Sequence, residues 1–149
     1  DIGRCIPGAG IETEVSDNIR CALWQKLLLV GSWAGLGALS QSSLGVVCDQ
    51  PELRSLVDQA MDEGIAVGGA LGYPLPDNLK QQMWDFYHGV PHDTTASMMR
   101  DILAGRPSEL DAWNGAIVRF GNQVGVPTPV HQFTYDVLLP MERRARGQL

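Results

Sequence analysis

A single lysine, Lys26, interrupts an apolar segment near the start of the sequence. Residues 17–30 are predicted to form a largely buried helix, in which Lys26 follows Trp24 by two positions. An unpaired ammonium on an apolar face is unfavourable, so such a lysine is normally paired, deprotonated or used in chemistry. Alternatively, its aliphatic stem lies along the apolar surface and leaves the amine in water. The segment alone is compatible with both interpretations.

Ser97 and Glu109 are the other side chains that could do chemistry. Gly105 and Pro107 lie between them, so they are expected on separate helices. Both stand beside apolar residues that should face a core. A buried glutamate needs a partner, and the amine of Lys26 could provide one. Such a pair could also be purely structural.

Helical periodicity and helix punctuation dominate the sequence that must position these residues. Ser16 or Asp17 should cap the first helix, Ser108 another, and Pro140 should kink the last, which begins at Thr128-Pro129. The patterns predict a single all-α domain of six or seven helices over residues 1–149, with only residues 1–15 possible as extended chain. The main predicted segments are 18–39, 49–72, 77–87, 95–103, 108–124 and the helix that follows residue 128.

Composition excludes several classes of protein. With 44% hydrophobic residues in 149, the chain is not disordered, and a net charge of −6 argues against non-specific nucleic-acid binding. Its one basic cluster, Arg143-Arg144-Ala145-Arg146, fits a solvated last helical turn. The apolar stretch 22–30 is too short for a membrane span. Because the sequence begins at Asp1 without a methionine, we expect a processed or incomplete chain.

Three cysteines (Cys5, Cys21 and Cys48) form no metal-binding or redox spacing. They indicate reduced thiols and a cytoplasmic location. His88 and His92 are four residues apart, but Gly89 and Pro91 break the helix between them, so we expect no metal site there.

Two glycine patterns have simple explanations. Gly8-Ala9-Gly10 lacks the third glycine of a dinucleotide loop and predicts a plain turn. The small residues from Gly31 to Gly35 predict a close helix crossing.

Several motifs together resemble the C-terminal domain of the ketopantoate reductase (2-dehydropantoate 2-reductase) family. They are Trp-x-Lys-Leu, then Ser-Met-x-x-Asp-Ile-x-x-Gly-Arg-Pro-x-Glu-x-Asp, then Asn-Gly-x-x-Val-Arg and Gly-Val-Pro-Thr-Pro, in this order from about residue 17 onward. The matching residues are Trp24, Lys26, Leu27, Ser97, Met98, Asp101, Ile102, Gly105, Arg106, Pro107, Glu109, Asp111, Asn114, Gly115, Val118, Arg119 and residues 125–129.

The resemblance implies an all-α substrate domain, similar to the helical domains of 6-phosphogluconate dehydrogenase and its relatives. It implies reduction of ketopantoate to pantoate, on the route to pantothenate and coenzyme A, with NADPH bound mainly by an N-terminal Rossmann domain that this chain lacks. By resemblance Lys26 is the general acid, Glu109 holds Lys26 or binds the substrate, and Ser97 donates to a substrate oxygen. The partners implied are a small 2-oxo acid and the Rossmann domain, and a homodimer is compatible with this class.

Two positions depart from the family pattern. Family members commonly carry asparagines four and eight residues after the lysine, where this chain has Val30 and Ala34. A less hydroxylated 2-oxo acid, or substrate contacts rebuilt from other residues, would both fit. A non-catalytic helical module for dimerisation or partner binding is the alternative function. An amine in an open cleft beside Glu109 favours the enzyme, and a solvated Lys26 with Glu109 bonded only to backbone favours the module.

Overall fold

Helices are the regular elements of the computed structural model, which describes residues 16–149. The prediction of an all-α fold is confirmed for these residues, which contain no strand. The predicted extended segment 1–15, including Cys5 and the Gly8-Ala9-Gly10 turn, lies outside them. The helices are α1 (Ile19–Ser40), α2 (Leu44–Asp49), α3 (Pro51–Ala70), α4 (Leu79–Gly89), α5 (Ser97–Leu103), α6 (Ala116–Val124) and α7 (Pro129–Ala145), and a π-helical turn, Asp111–Gly115, precedes α6.

Some helix ends follow the local signals and others do not. Gly125 ends α6 in the left-handed conformation (φ 72°), as predicted. At the start of α1, however, Asn18 is the cap, because its side-chain oxygen accepts a hydrogen bond from the Cys21 amide at 3.1 Å. The prediction of Ser16 or Asp17 was wrong, since asparagine, aspartate and serine cap about equally well and only geometry separates them.

Two elements depend on contacts that a local pattern does not reveal. The short helix α2 was not predicted, and its first amides donate to carbonyls far along the chain, from Leu44 to Thr94 and from Gly45 to His92. The helix predicted for residues 108–124 is divided into the π-helical turn and α6. In the π-helical turn the Gly115 amide reaches back five residues, to the carbonyl of Leu110.

Helix α1 lies at the centre of the fold and packs against α3, α5 and α7. Every residue from Gly31 to Ala38 is buried. A Cβ atom on Gly35 would lie 2.4 Å from the Thr134 side chain of α7 and 3.1 Å from that of Asn114. The predicted close helix crossing is therefore confirmed, and it holds the second half of α1 deep in the core.

The first half of α1 is different, because much of its apolar surface is exposed. Ile19 is 59% exposed and Leu23 58% exposed, whereas Trp24 and Leu28 face the core. The prediction of a largely buried helix over residues 17–30 was wrong for this face. Among residues 16–149, no helix has the length and hydropathy needed to cross a membrane.

Candidate functional site

An open groove of about 520 Å³ lies between the first half of α1 and the chain that enters the π-helical turn. Lys26 lines it from α1, and Glu109 lines it from the loop before the turn. The rest of its lining is apolar: Leu23, Leu27, Val30, Ala112 and Trp113. The structure thus brings together two of the three residues that the sequence singled out.

The expected buried pair between Lys26 and Glu109 is not present. Both side chains are exposed, and neither belongs to any of the ion pairs in the described part of the chain. Lys26 needs no buried partner, because its half of α1 lies at the surface. Glu109 is exposed because it lies in a loop and not on a core-facing helix. The open cleft shared by Lys26 and Glu109 favours an enzyme, whereas the exposure of the Lys26 side chain and the missing pair favour the non-catalytic module.

Ser97 lies elsewhere. It is the first residue of α5, it is exposed, and it is not part of the lining of this groove. Its neighbours Met98 and Met99 are buried in the core. The position of Ser97 is set by the packing of α5 against α1.

The loop that carries Glu109 is held by a buried carboxylate, that of Glu142 on α7. The Ser108 amide donates to both Glu142 oxygens, at 3.1 and 3.0 Å, and its hydroxyl donates to Oε2. Arg146 donates from Nε to Glu142 at 2.6 Å and from Nη2 to the Ser108 carbonyl at 2.9 Å. Glu142 is only 4% exposed, so these charge-assisted hydrogen bonds fix the residue next to Glu109.

The role of Ser108 differs in part from the predicted helix cap. Its hydroxyl oxygen does accept from the Leu110 amide at 3.2 Å, but the main partner of Ser108 is Glu142. The basic cluster predicted a solvated Arg146, but the Arg146 side chain is bonded to Glu142 and to the Ser108 carbonyl. The Glu–Arg spacing of four residues was the available signal for the ion pair between Glu142 and Arg146, although it gives no hint of burial.

Further ion pairs fix the two ends of the segment that carries Glu109. Before the loop, Arg106 donates from Nε and Nη2 to Oδ1 of Asp101, at 3.0 and 2.7 Å. After it, Arg119 Nη1 and the Tyr135 hydroxyl donate to Oδ1 of Asp111 at 2.7 and 2.9 Å. The Arg119 guanidinium, followed by the Tyr135 hydroxyl, lowers the pKa of Asp111. Several residues of the sequence motif therefore hold the segment that carries Glu109 in place.

A buried histidine on α7 stabilises the other side of the π-helical turn. His131 Nε2 lies 3.0 Å from the Ala60 carbonyl, which makes this nitrogen the donor. Its Nδ1 then accepts from the Asn114 amide at 3.1 Å. Burial lowers the pKa of His131 to about 4, so the ring is neutral near pH 7. His131 was not predicted from the sequence, because a lone histidine carries no motif.

The other two histidines have separate partners. His92 Nε2 lies 2.9 Å from Asp49, and His88 lies 3.5 Å from Arg54 and beside the Trp84 ring. Within residues 16–149, no three His, Cys, Asp or Glu side chains form a group that could hold a metal ion.

Comparisons with known proteins agree with the motifs. The family described as ketopantoate reductase PanE/ApbA C terminal matches residues 18–142. The 2-dehydropantoate 2-reductase of Mesorhizobium japonicum is 33% identical over 136 residues, which make up 91% of this chain and 40% of that protein.

Solved structures give the same result. A PanE/ApbA family ketopantoate reductase from Ralstonia eutropha JMP134 superposes with a TM-score of 0.88 at 30% identity, covering 97% of this chain and 48% of that one. The dimeric ketopantoate reductase of Staphylococcus aureus gives 0.83 at 27% identity, covering 91% and 47%. The chain therefore spans about half or less of the length of these relatives. It belongs to the ketopantoate reductase family and corresponds to the C-terminal domain of that family.

Proposed function

We propose that this chain is the substrate-binding and proton-donating domain of an NADPH-dependent 2-oxo acid reductase, with the reduction of ketopantoate to pantoate as the reference reaction. One observation carries the proposal. An amine, on Lys26, and a carboxylate, on Glu109, line the same open groove, whose other lining residues are apolar. A cleft with few polar groups is typical of a small-molecule site.

Each polar residue has a proposed role in this reaction. When NADPH is bound, it supplies the hydride that reaches the carbonyl carbon. The Lys26 ammonium donates a proton to the carbonyl oxygen, and the product is a 2-hydroxy acid. Glu109 orients the Lys26 amine or accepts a hydrogen bond from the substrate. Ser97 lies outside this groove, so the hydrogen bond predicted from its hydroxyl to a substrate oxygen is not part of the proposed arrangement.

The nucleotide belongs, in this proposal, to an N-terminal Rossmann domain that precedes this chain in the full-length protein. Residues 16–149 contain neither a strand nor a Gly-x-Gly-x-x-Gly loop, so they are poorly suited to hold a dinucleotide on their own. We expect the isolated chain to be inactive. A cytoplasmic location is also part of the proposal, supported by the unpaired thiols of Cys21 and Cys48.

A homodimer is proposed as the working assembly. Three exposed apolar side chains, Phe133, Val137 and Met141, follow one another at four-residue spacing on α7 and so share a face. The Staphylococcus aureus relative is dimeric. Light scattering on the full-length protein tests the assembly, and Phe133→Glu should convert a dimer to a monomer.

The test of the catalytic role uses the two lysines of the sequence, Lys26 and Lys80. Lys26→Ala in the full-length protein should lower kcat for 2-oxo acid reduction by about 10²- to 10⁴-fold. Lys80→Ala is the matched control, because Lys80 pairs with Asp58 and Asp62 on the surface, and its kcat should stay within about twofold. Equal activity of the two variants would refute the assignment and favour the non-catalytic module.

A further inference from the structure

We infer that the carboxylate of the 2-oxo acid binds in a second groove, between α1 and α4, where Lys26 and the side-chain amides of Gln25 and Gln82 hold it. The inference rests on the proposed function and adds the orientation of the substrate to it.

The second groove has a volume of about 260 Å³ and lies on the other side of Lys26 from the first. The Tyr87 hydroxyl of α4 donates to the Leu29 carbonyl of α1 at 2.7 Å and so joins its two walls. Its lining consists of Gln25, Lys26 and Leu29 from α1, and Leu79, Gln82, Met83 and Phe86 from α4.

Lys26 lines both grooves. With 3.6 residues per turn, Gln25 and Leu29 lie to one side of Lys26 around α1. Leu27 and Val30 lie to the other side. The Lys26 side chain therefore stands on the ridge between the grooves, where its amine can reach a substrate that extends into both.

Charge decides which groove suits the carboxylate. In the first groove, the exposed carboxylate of Glu109 repels an anion, while it can accept a hydrogen bond from a substrate hydroxyl. Among the described residues that line the second groove, Lys26 is the only charged one. Asp85 of α4 is outside this lining, and its Oδ1 accepts from Gln81 at 2.7 Å. An anionic 2-oxo acid therefore places its carboxylate in the second groove and its other end in the first.

The two glutamines supply hydrogen-bond donors for the carboxylate. An amide nitrogen carries two hydrogens, and the nitrogen of Gln82 donates one of them to Asn78 Oδ1 at 2.9 Å. The Gln25 nitrogen lies 3.4 Å from the Cys21 sulfur, which is a weak acceptor. Each glutamine thus keeps a hydrogen for a carboxylate oxygen. The other side chains of the lining are apolar apart from Lys26, so water competes less for these bonds.

The experiment places a negative charge in the second groove of the full-length protein and measures reduction of ketopantoate and of 3-methyl-2-oxobutanoate. Gln82→Glu is nearly isosteric, and we expect it to raise KM at least about tenfold with kcat within about threefold, because it repels the substrate carboxylate. The rise should appear with both acids, since both carry that carboxylate.

Gln81→Glu is the matched control, because it adds the same charge one residue away, on the exposed surface of α4 and outside the lining. It should leave KM within about twofold. Gln82→Leu tests the hydrogen bond without a charge: KM should rise about three- to tenfold, whereas Gln81→Leu should not change it. Both glutamines are exposed, and melting temperatures check that the variants keep the fold.

The possible results separate the two proposals. Turnover that requires Lys26, with equal KM for Gln82→Glu and Gln81→Glu, would overturn the carboxylate site and leave the proposed function standing. A lower kcat in Gln82→Glu at an unchanged KM would also overturn it, because Gln82 would then act on the Lys26 amine and not on substrate binding. A KM unaffected by Gln82→Leu would overturn the hydrogen bond from Gln82. If the wild-type protein reduces neither acid, the proposed function fails and the carboxylate site fails with it.

Discussion

Replacing Glu142 should destabilise the loop that carries Glu109 more than replacing an exposed glutamate does. In Glu142→Ala, the Ser108 amide and hydroxyl lose their acceptor in a buried setting, where Ser108 is only 9% exposed. An unsatisfied buried donor costs about 1–3 kcal/mol. Arg146 is 43% exposed and regains water, so its loss adds about 1 kcal/mol or less. The expected decrease in the free energy of unfolding is therefore about 1–4 kcal/mol, which overlaps the range for breaking a buried pair.

The assay is urea unfolding of the chain at pH 7, followed by circular dichroism at 222 nm. Glu142→Gln keeps the shape and one acceptor oxygen, so it should lose only about 1–2 kcal/mol. Glu52→Ala is a surface control, because Glu52 is exposed in the first turn of α3, and it should lose less than about 1 kcal/mol.

Hydrogen exchange gives an independent measurement of the same contact. The Ser108 amide should exchange slowly in the wild type and much faster in Glu142→Ala, because its acceptor is gone. If Glu142→Ala were no less stable than Glu52→Ala, or if exchange at Ser108 did not change, the argument that Glu142 fixes this loop would be refuted.

Two further predictions concern the packing and titration of the core. Gly35→Ala should destabilise the chain by about 1–3 kcal/mol, because the new Cβ would clash with the Thr134 side chain. Gly69→Ala, in α3, should stabilise the chain by about 0.4–1 kcal/mol, because nothing lies within 4 Å of the new Cβ. Equal melting temperatures of the two variants would contradict this. His131, with its pKa lowered from 6.5 to about 4, should contribute stability that is complete above about pH 6.5 and is lost as the pH falls towards 4, about 3 kcal/mol in all. The test is the midpoint of urea unfolding, measured between pH 4 and 7 for the wild type and for His131→Gln. The wild-type midpoint should fall with pH more steeply than that of the variant, and an equal pH dependence would contradict the prediction.

Helices whose ends are defined by local chemistry could be predicted from the sequence. Gly125 ends α6, and Thr128-Pro129 begins α7, in each case through conformational preferences that act within one turn. Helix α2 could not be predicted, because its first amides bind carbonyls of residues 92–94, whose proximity arises only in the folded chain. The π-helical turn within residues 108–124 could not be predicted either, because no local sequence signal marks such a turn.

The residues that line the candidate site could be predicted in part from the sequence, but their burial could not. Motif spacing identified Lys26 and Glu109, which do share a groove. Periodicity alone, however, does not say which apolar face of a helix is covered, and Leu23 remains 58% exposed. The expectation of a buried ion pair failed for that reason. Glu142 was missed because its partner Ser108 lies 34 residues away in the sequence.

These contacts make α7 one of the elements that position the loop carrying Glu109. Near its N-terminus, the amides of Val130 and His131 donate to the half-buried carboxylate of Glu63 on α3, at 2.7 and 3.0 Å. Near its C-terminus, Glu142 receives the amide and hydroxyl of Ser108. Because α7 is anchored at both ends, a change at either end can move the loop before the π-helical turn. Substitutions on α7 that contact no substrate should therefore alter the groove through Glu109, whereas Lys26, on α1, should keep its position.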